Sequence, residues 1–147
     1  MASNELKSTL ITGVIGEDVH VTGIRILEHA LRKAGFKVVS LGIHNFDSDF
    51  IDAARETKAD AILVSSLAGH AKMLVQDLRS KCIEAGIEDI LLYLGGQLVI
   101  EKKDWPDVEK MFLDMGFNRV YPPFTVPDHP ISDLKTDLGV GGNKPWK

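Results

Sequence analysis

Short apolar runs alternate with amphipathic stretches along the chain. Residues 8–14, 37–41, 61–64, 90–94 and 119–121 read as five short strands. The third and fourth are continuously apolar, as expected of strands buried on both faces of a parallel sheet. Between them the spacing turns helical. From residue 22 to 34, Ile24, Leu27 and Leu31 recur on one face, and Gly35 follows at the position of a C-terminal cap. A second helix starts at Asp47 or Ser48 and runs to about Thr57, with Phe50, Ile51 and Ala54 facing inward. Residues 73–85 repeat the arrangement, with Leu74, Leu78 and Cys82 four apart and Gly86 as the stop. Asp104 caps a fourth helix that carries Pro106 in its first turn and ends before Gly116. A last helix spans residues 130–138, after the turn-rich Pro122, Pro123, Pro127 and Asp128.

Strand followed by helix, five times over, predicts an α/β domain. Right-handed crossovers between parallel strands give a three-layer, doubly wound five-stranded sheet of flavodoxin-like (Rossmann-like) order 2-1-3-4-5. Ligands of such folds sit beyond the carboxyl ends of the strands, at the switch between the first and third. The segments to examine are therefore residues 15–22, 65–71, 95–101 and 122–126.

Composition narrows the chemistry. With 147 residues, 44% apolar and 26% charged, the chain reads as a single domain over 1–147, its core at about 8–139 and a short C-terminal tail at 140–147. Its longest uncharged stretches, residues 61–71 and 90–100, are eleven residues each, whereas a spanning helix needs about 20. The N-terminal residues lack the pattern of a secretory leader, so a cytoplasmic, membrane-free protein is expected. The single Cys82 can form neither an internal disulfide nor a thiolate-rich metal site. A net charge of −4 argues against a nucleic-acid partner, which basic surface would attract.

The loop after the first strand admits three chemistries. Gly13 and Gly16 do not make the G-x-G-x-x-G of a phosphate cradle. A phospho-receiver site would use Glu17 and Asp18, but it needs an aspartate after the third strand and a lysine after the fifth. Ser65-Ser66 and Pro122-Pro123 stand there instead. The third reading rests on His20, two residues after Asp18. Its imidazole can bind a metal through one nitrogen while the carboxylate accepts the other N–H and fixes the tautomer. On these two residues alone, a solvated loop histidine beside a capping aspartate is the simpler reading.

The wider spacing changes that balance. Asp18-Val19-His20-Val21-Thr22-Gly23 is followed after 41 residues by Ser65-Ser66-Leu67, and after 27 more by Gly95-Gly96. This resembles the D-x-H-x-x-G, S-x-L, G-G signature of the cobalamin-binding domains of carbon-skeleton mutases and methionine synthase. Each piece falls at the carboxyl end of an expected strand. The likeness extends through Ala59-Asp60, through Asp104-Trp105-Pro106-Asp107-Val108-Glu109, and from Met115-Gly116-Phe117 to Val120-Tyr121-Pro122-Pro123. Over about residues 8–139 the chain resembles the small subunits of glutamate mutase (methylaspartate mutase). It departs from them at Ala68, where tyrosine is frequent, at Glu101, where a small residue is common, and in the tail 141–147.

The resemblance implies an isomerase subunit that binds adenosylcobalamin base-off/His-on. His20 would be the lower axial ligand to cobalt and Asp18 the acceptor of its other N–H. Glu17, Val19 and Val21 would border the cofactor. The nucleotide tail would enter a slot between the first and third strands, past Gly23, Gly95 and Gly96, which have no Cβ to obstruct it. Ser65 would hydrogen-bond the tail base, with Ser66 and Leu67 beside it and Gln97, Leu98, Val99, Ile100 and Glu101 along its edge. Adenosylcobalamin would supply a 5′-deoxyadenosyl radical for interconversion of L-glutamate and (2S,3S)-3-methylaspartate. The substrate site would belong to a large TIM-barrel subunit, two small and two large subunits forming the enzyme, so that no catalytic residue beyond cofactor ligation is expected here. Alternatives are the small subunit of an acyl-CoA-type mutase and a corrinoid carrier for methyl transfer. The other histidines have structural readings: His29 on a helix surface, His44 in a loop, His129 in a solvated turn. His70 stands close enough to Ser65-Ser66-Leu67 to meet cofactor or partner. Cys82 and Trp105 read as packing residues, while residues 121–124 divide between ligand contact and turn packing.

Overall fold

The computed structural model describes residues 8–16, 22–66, 71–96 and 104–139. Among these, five strands form one parallel sheet: β1 (Thr9–Val14), β2 (Lys37–Ser40), β3 (Ala61–Ser65), β4 (Leu91–Gly95) and β5 (Arg119–Tyr121). Their order is β2-β1-β3-β4-β5, the doubly wound arrangement expected from the alternation of apolar runs. The helices are α1 (Thr22–Lys33), α2 (Asp47–Thr57), α3 (Ala71–Val75), α4 (Leu78–Glu84), α5 (Trp105–Asp114) and α6 (Asp128–Leu138).

Alternation along each strand divides the core into two layers. Ile62 and Val64 of β3 and Leu92 and Leu94 of β4 pack with Phe50 and Ile51 of α2, Leu78 and Cys82 of α4, and Val108 and Phe112 of α5. Ala61, Leu63 and Tyr93 face the other way, toward Leu31 of α1 and Leu134 and Leu138 of α6. The second layer, covered by α1 and α6, borders the site. No helix among the described residues is long and apolar enough to cross a membrane.

Three expectations need correction. The single helix expected over residues 73–85 is two short helices that begin at Ala71 and break around Asp77, whose backbone (φ −104°, ψ 4°) leaves helical values. Ala71, Val75, Leu78 and Cys82 are all buried, so the apolar spacing runs straight through the break and cannot reveal it. Asp104 does stand at the N-cap of α5, but its carboxylate makes no capping hydrogen bond. Pro106 occupies the second helical position and removes one of the two N–H groups such a carboxylate would accept, while the Asp107 N–H goes to the Asp104 carbonyl at 3.1 Å. Finally, α6 begins at Asp128, two residues earlier than expected.

The exit of β1 is tied down by the loop after β2. Asn45 is buried and its Nδ2 donates to the carbonyls of Gly42 (2.9 Å) and Val14 (3.3 Å), while its own carbonyl accepts the Gly16 N–H at 2.6 Å. Gly13 lies beneath it, where a Cβ would come within 3.0 Å of that same Nδ2. Asn45→Ala removes the side-chain half of this clamp, while the Val14 and Gly42 carbonyls each keep one backbone donor, the Asn45 N–H and the Val14 N–H. A loss of about 1–2 kcal/mol is expected in urea unfolding, at unchanged slope against denaturant.

Candidate functional site

The parallel register aligns Val14, Ser65, Gly95 and Tyr121 in one row across the carboxyl edge of the sheet. Ser65, Gly95 and Tyr121 belong to the floor of a cavity of about 560 Å³. Ile24 and Leu27 of α1 form one wall, and the segment from Pro122 to Pro130, leading into α6, forms the other. The cavity lies over β3, β4 and β5, between α1 and α6. Over β1, α1 is fastened down by a buried hydrogen bond. Thr12 Oγ1 donates to Glu28 Oε2 at 2.5 Å, and both residues are buried.

Gly23, Gly95 and Gly96 all line this cavity. A Cβ on Gly23 would meet nothing within 4 Å, so it would project into open space at the start of α1. One on Gly95 would lie 3.6 Å from Tyr121 Cβ, on the floor. Gly96 has φ 110°, a backbone conformation that favours glycine. Ser65 and Ser66 part company: Ser65 faces the cavity, whereas Ser66, one residue on, does not line it. The Ser66 N–H donates to the Gly95 carbonyl at 3.1 Å, and its buried hydroxyl has no hydrogen-bond partner among the described residues.

Glu17, Asp18, Val19, His20, Val21, Leu67 and the run Gln97, Leu98, Val99, Ile100 and Glu101 lie outside the described residues, as do His70 and the tail 140–147. The segments that contain the first eleven follow the carboxyl ends of β1, β3 and β4, the edge at which the cavity opens. Gly16, the last described residue before residue 17, has φ 80°, and a Cβ there would sit 2.9 Å from Leu74 Cδ1. The chain therefore leaves β1 through a position that only glycine fills without strain. His29, His44 and His129 are exposed, Cys82 is fully buried, and Trp105 packs against the core.

Sequence reasoning missed part of the lining. Ile24 and Leu27 read as core because they share a helical stripe with Leu31, yet only Leu31 reaches the packed layer at full depth. Phe124 is fully exposed at φ 66°, a strained conformation for a bulky side chain, at the rim beside Val126.

A polar network fixes the α6 wall. Arg119 grips Asp137 with two hydrogen bonds, Nε to Oδ2 at 2.9 Å and Nη2 to Oδ1 at 2.8 Å, and reaches Asp133 at 3.3 Å. The Tyr93 phenol donates to Asp137 and the Tyr121 phenol to Asp133 at 2.6 Å. The two rings pack at 5.8 Å between centroids, tilted by 58°. The hydrogen bonds from Arg119, supported by Tyr93, hold the Asp137 carboxyl below the usual aspartate range. Burial first, then the neighbouring carboxylates, pushes both phenols upward. Both tyrosines thus stay neutral donors.

An open parallel sheet with an apolar, glycine-edged cavity at its carboxyl end defines a ligand-binding doubly wound domain, and comparison with known proteins specifies the class. Residues 8–108 match the family model described as B12 binding domain. A cobalamin-binding protein from Desulfitobacterium hafniense shares the fold, with a TM-score of 0.72 at 16% identity over 90% of this chain and 59% of that one. The glutamate mutase sigma subunit of Clostridium tetani is 55% identical over 91% of this chain and 98% of its own, and that of Clostridium cochlearium 54% over the same shares. The chain belongs to the glutamate mutase sigma subunit family.

Proposed function

We propose that this chain is the adenosylcobalamin-binding subunit of an isomerase that interconverts L-glutamate and (2S,3S)-3-methylaspartate. The reading is carried by one observation: a cavity of about 560 Å³, floored by Ser65 and edged by Gly23, Gly95 and Gly96, opens where the segments containing His20, Leu67 and Gln97 leave the sheet. The residues fit the group, because the cavity admits a flat apolar ring and presents a hydroxyl to its nitrogen. When bound, adenosylcobalamin supplies radical chemistry through homolysis of its cobalt–carbon bond.

The roles of the chain follow from that fit. Ser65 would donate a hydrogen bond to the base of the cofactor's nucleotide tail, and Gly23, Gly95 and Gly96 would leave room for it. His20 would hold the cobalt through one imidazole nitrogen, with Asp18 accepting its other N–H. The α1 and α6 walls exclude water from the tail. A separate large TIM-barrel subunit, in a complex of two small and two large chains, would hold the substrate. Ile26, Phe124 and Val126, large apolar side chains exposed at the cavity rim, suit cover by cofactor and partner. No nucleic-acid or membrane partner enters this reading, and the cytoplasm is the compartment it implies.

Electron paramagnetic resonance tests the ligation. Protein labelled with nitrogen-15 and loaded with the cobalt(II) form of the cofactor should show nitrogen splitting that changes with the protein's isotope, and His20→Ala should abolish it. Splitting indifferent to the protein label would refute His-on binding. Production of methylaspartate from glutamate on adding a large mutase subunit tests the reaction.

A further inference from the structure

A charged residue interrupts the inner face of α1. Glu28 is only 5% exposed and is buried beside Ile24 and Leu31, four residues after the first and three before the second. A carboxylate in such a place is unfavourable unless it is hydrogen-bonded. Its donor among the described residues is Thr12 Oγ1 of β1, itself fully buried, at 2.5 Å, a length typical of charge-assisted O–H···O⁻ bonds. Neither residue lines the cavity, yet both stand at its border. Leu27, next to Glu28, lines it, and so does Leu63, which lies in register with Thr12 across β1 and β3.

A cavity wall cannot be held in place by filling the cavity. Ile24 and Leu27 adjoin open space, so part of the stripe that docks α1 has no packed side chains opposite it. Aliphatic contacts are also non-directional, and by themselves they fix neither the rotation nor the height of a helix. Among the described residues the other side-chain hydrogen bond from α1 to a strand, Arg32 Nη2 to the Val38 carbonyl, is exposed, 3.5 Å long and at the far end of the helix. A polar pair within an apolar surface can set register at a cost in stability. We propose that Glu28 and Thr12 are positioning residues that set where α1 stands over the sheet, and through it the room offered to the cofactor's nucleotide tail. The inference rests on the cobalamin reading and deepens it. The bond fixes how far the wall at Gly23 and Ile24 stands from the floor at Ser65 and Gly95. An apolar pair of similar shape would dock α1 as strongly but let it settle toward the empty volume.

Three variants test this by urea unfolding of the cofactor-free protein and by titration with cobalamin and with cobinamide, which has no nucleotide tail. Thr12→Val leaves the Glu28 carboxylate buried without its donor and should lower both stability and cobalamin affinity. Thr12→Val combined with Glu28→Met replaces both partners by apolar groups, which should restore the stability. Its cobalamin affinity should nevertheless stay about tenfold below that of the unaltered chain, the factor that corresponds to one hydrogen bond. Glu28→Gln keeps an acceptor for Thr12 and should bind cobalamin within about threefold of the unaltered chain, as a positioning role through that bond requires. Cobinamide affinity should move little across the series. Cobalamin affinity that recovers together with stability in the double variant, or losses of the same size for cobalamin and cobinamide, would overturn the inference and leave the cofactor reading standing. Failure of the unaltered chain to bind either corrinoid would instead remove the cofactor reading.

Discussion

Gly23→Phe is expected to leave the domain folded and to weaken cobalamin binding by up to about a hundredfold. Gly23 is exposed at the second position of α1, and its missing Cβ would point into space with no atom within 4 Å. The folded protein alone thus accommodates a large side chain there. Replacing glycine in a helix is also mildly favourable, by up to about 0.5–1 kcal/mol and less near a terminus. In the loaded protein the ring would occupy volume needed by the nucleotide tail. Overpacking costs about 1–3 kcal/mol, and the upper end of that range corresponds to roughly a hundredfold in affinity. Gly23→Ala adds one methyl group and should cost much less. Thermal unfolding of the cofactor-free protein and corrinoid titration separate the two quantities. A Phe variant that binds as tightly as the unaltered chain would place the tail elsewhere.

The contrast between Gly23 and Ile24 shows what a sequence can disclose about such a site. Gly23, Ser65, Gly95 and Gly96 were legible because they fall in ordered pieces that resemble the cobalamin-binding signature, at the edge where the topology of the sheet places a ligand. Ile24 and Leu27 were not, because a residue that lines a cavity and one that fills a core obey the same helical periodicity. The strand order was legible for a related reason: apolar runs of strand length separated by helices leave few topologies once crossovers are right-handed. The break at Asp77 was hidden by continuous apolar spacing. Nothing in the spacing marks Arg79 either. It donates to the carbonyls of Gly116 (3.0 Å), Glu88 (2.9 Å) and Ile90 (2.8 Å), joining pieces of chain up to 37 residues apart. Links of that range are set by tertiary approach, which local pattern does not encode. Asp133 and Asp137, four apart on α6, are likewise unmarked by the spacing, and their partners Arg119, Tyr93 and Tyr121 are brought to them by the fold.

Asp137→Ala is expected to destabilise the protein by about 2–3 kcal/mol and to change how its stability depends on pH. The substitution removes both hydrogen bonds from Arg119 and leaves the Tyr93 hydroxyl, on a side chain almost wholly buried, without its acceptor. Hydrogen bonds to charged groups contribute about 1.5–3 kcal/mol each, but the Arg119 side chain is 36% exposed and Asp133 remains within reach, so the sum must be discounted for solvent screening. For a chain of this size the loss corresponds to roughly 5–10 °C in Tm. The pH dependence follows from the lowered folded-state pKa of Asp137. Its stabilising effect is complete above the unfolded-state value of about 3.9 and is lost as the pH falls through the folded value. The gap in stability between the unaltered chain and Asp137→Ala should therefore be constant near neutrality and close progressively in acid below about pH 4. At the alkaline end the sign reverses, because the Tyr93 and Tyr121 phenols are raised by folding. Their contribution is intact below about pH 10, where the unfolded phenols begin to ionise, and declines above it. Denaturant titrations across both limbs check these expectations; a gap unchanged down to pH 2 would show that Asp137 holds α6 by packing alone. Because the same carboxylate orients the cavity wall, the acid limb should also weaken corrinoid binding before the sheet itself unfolds.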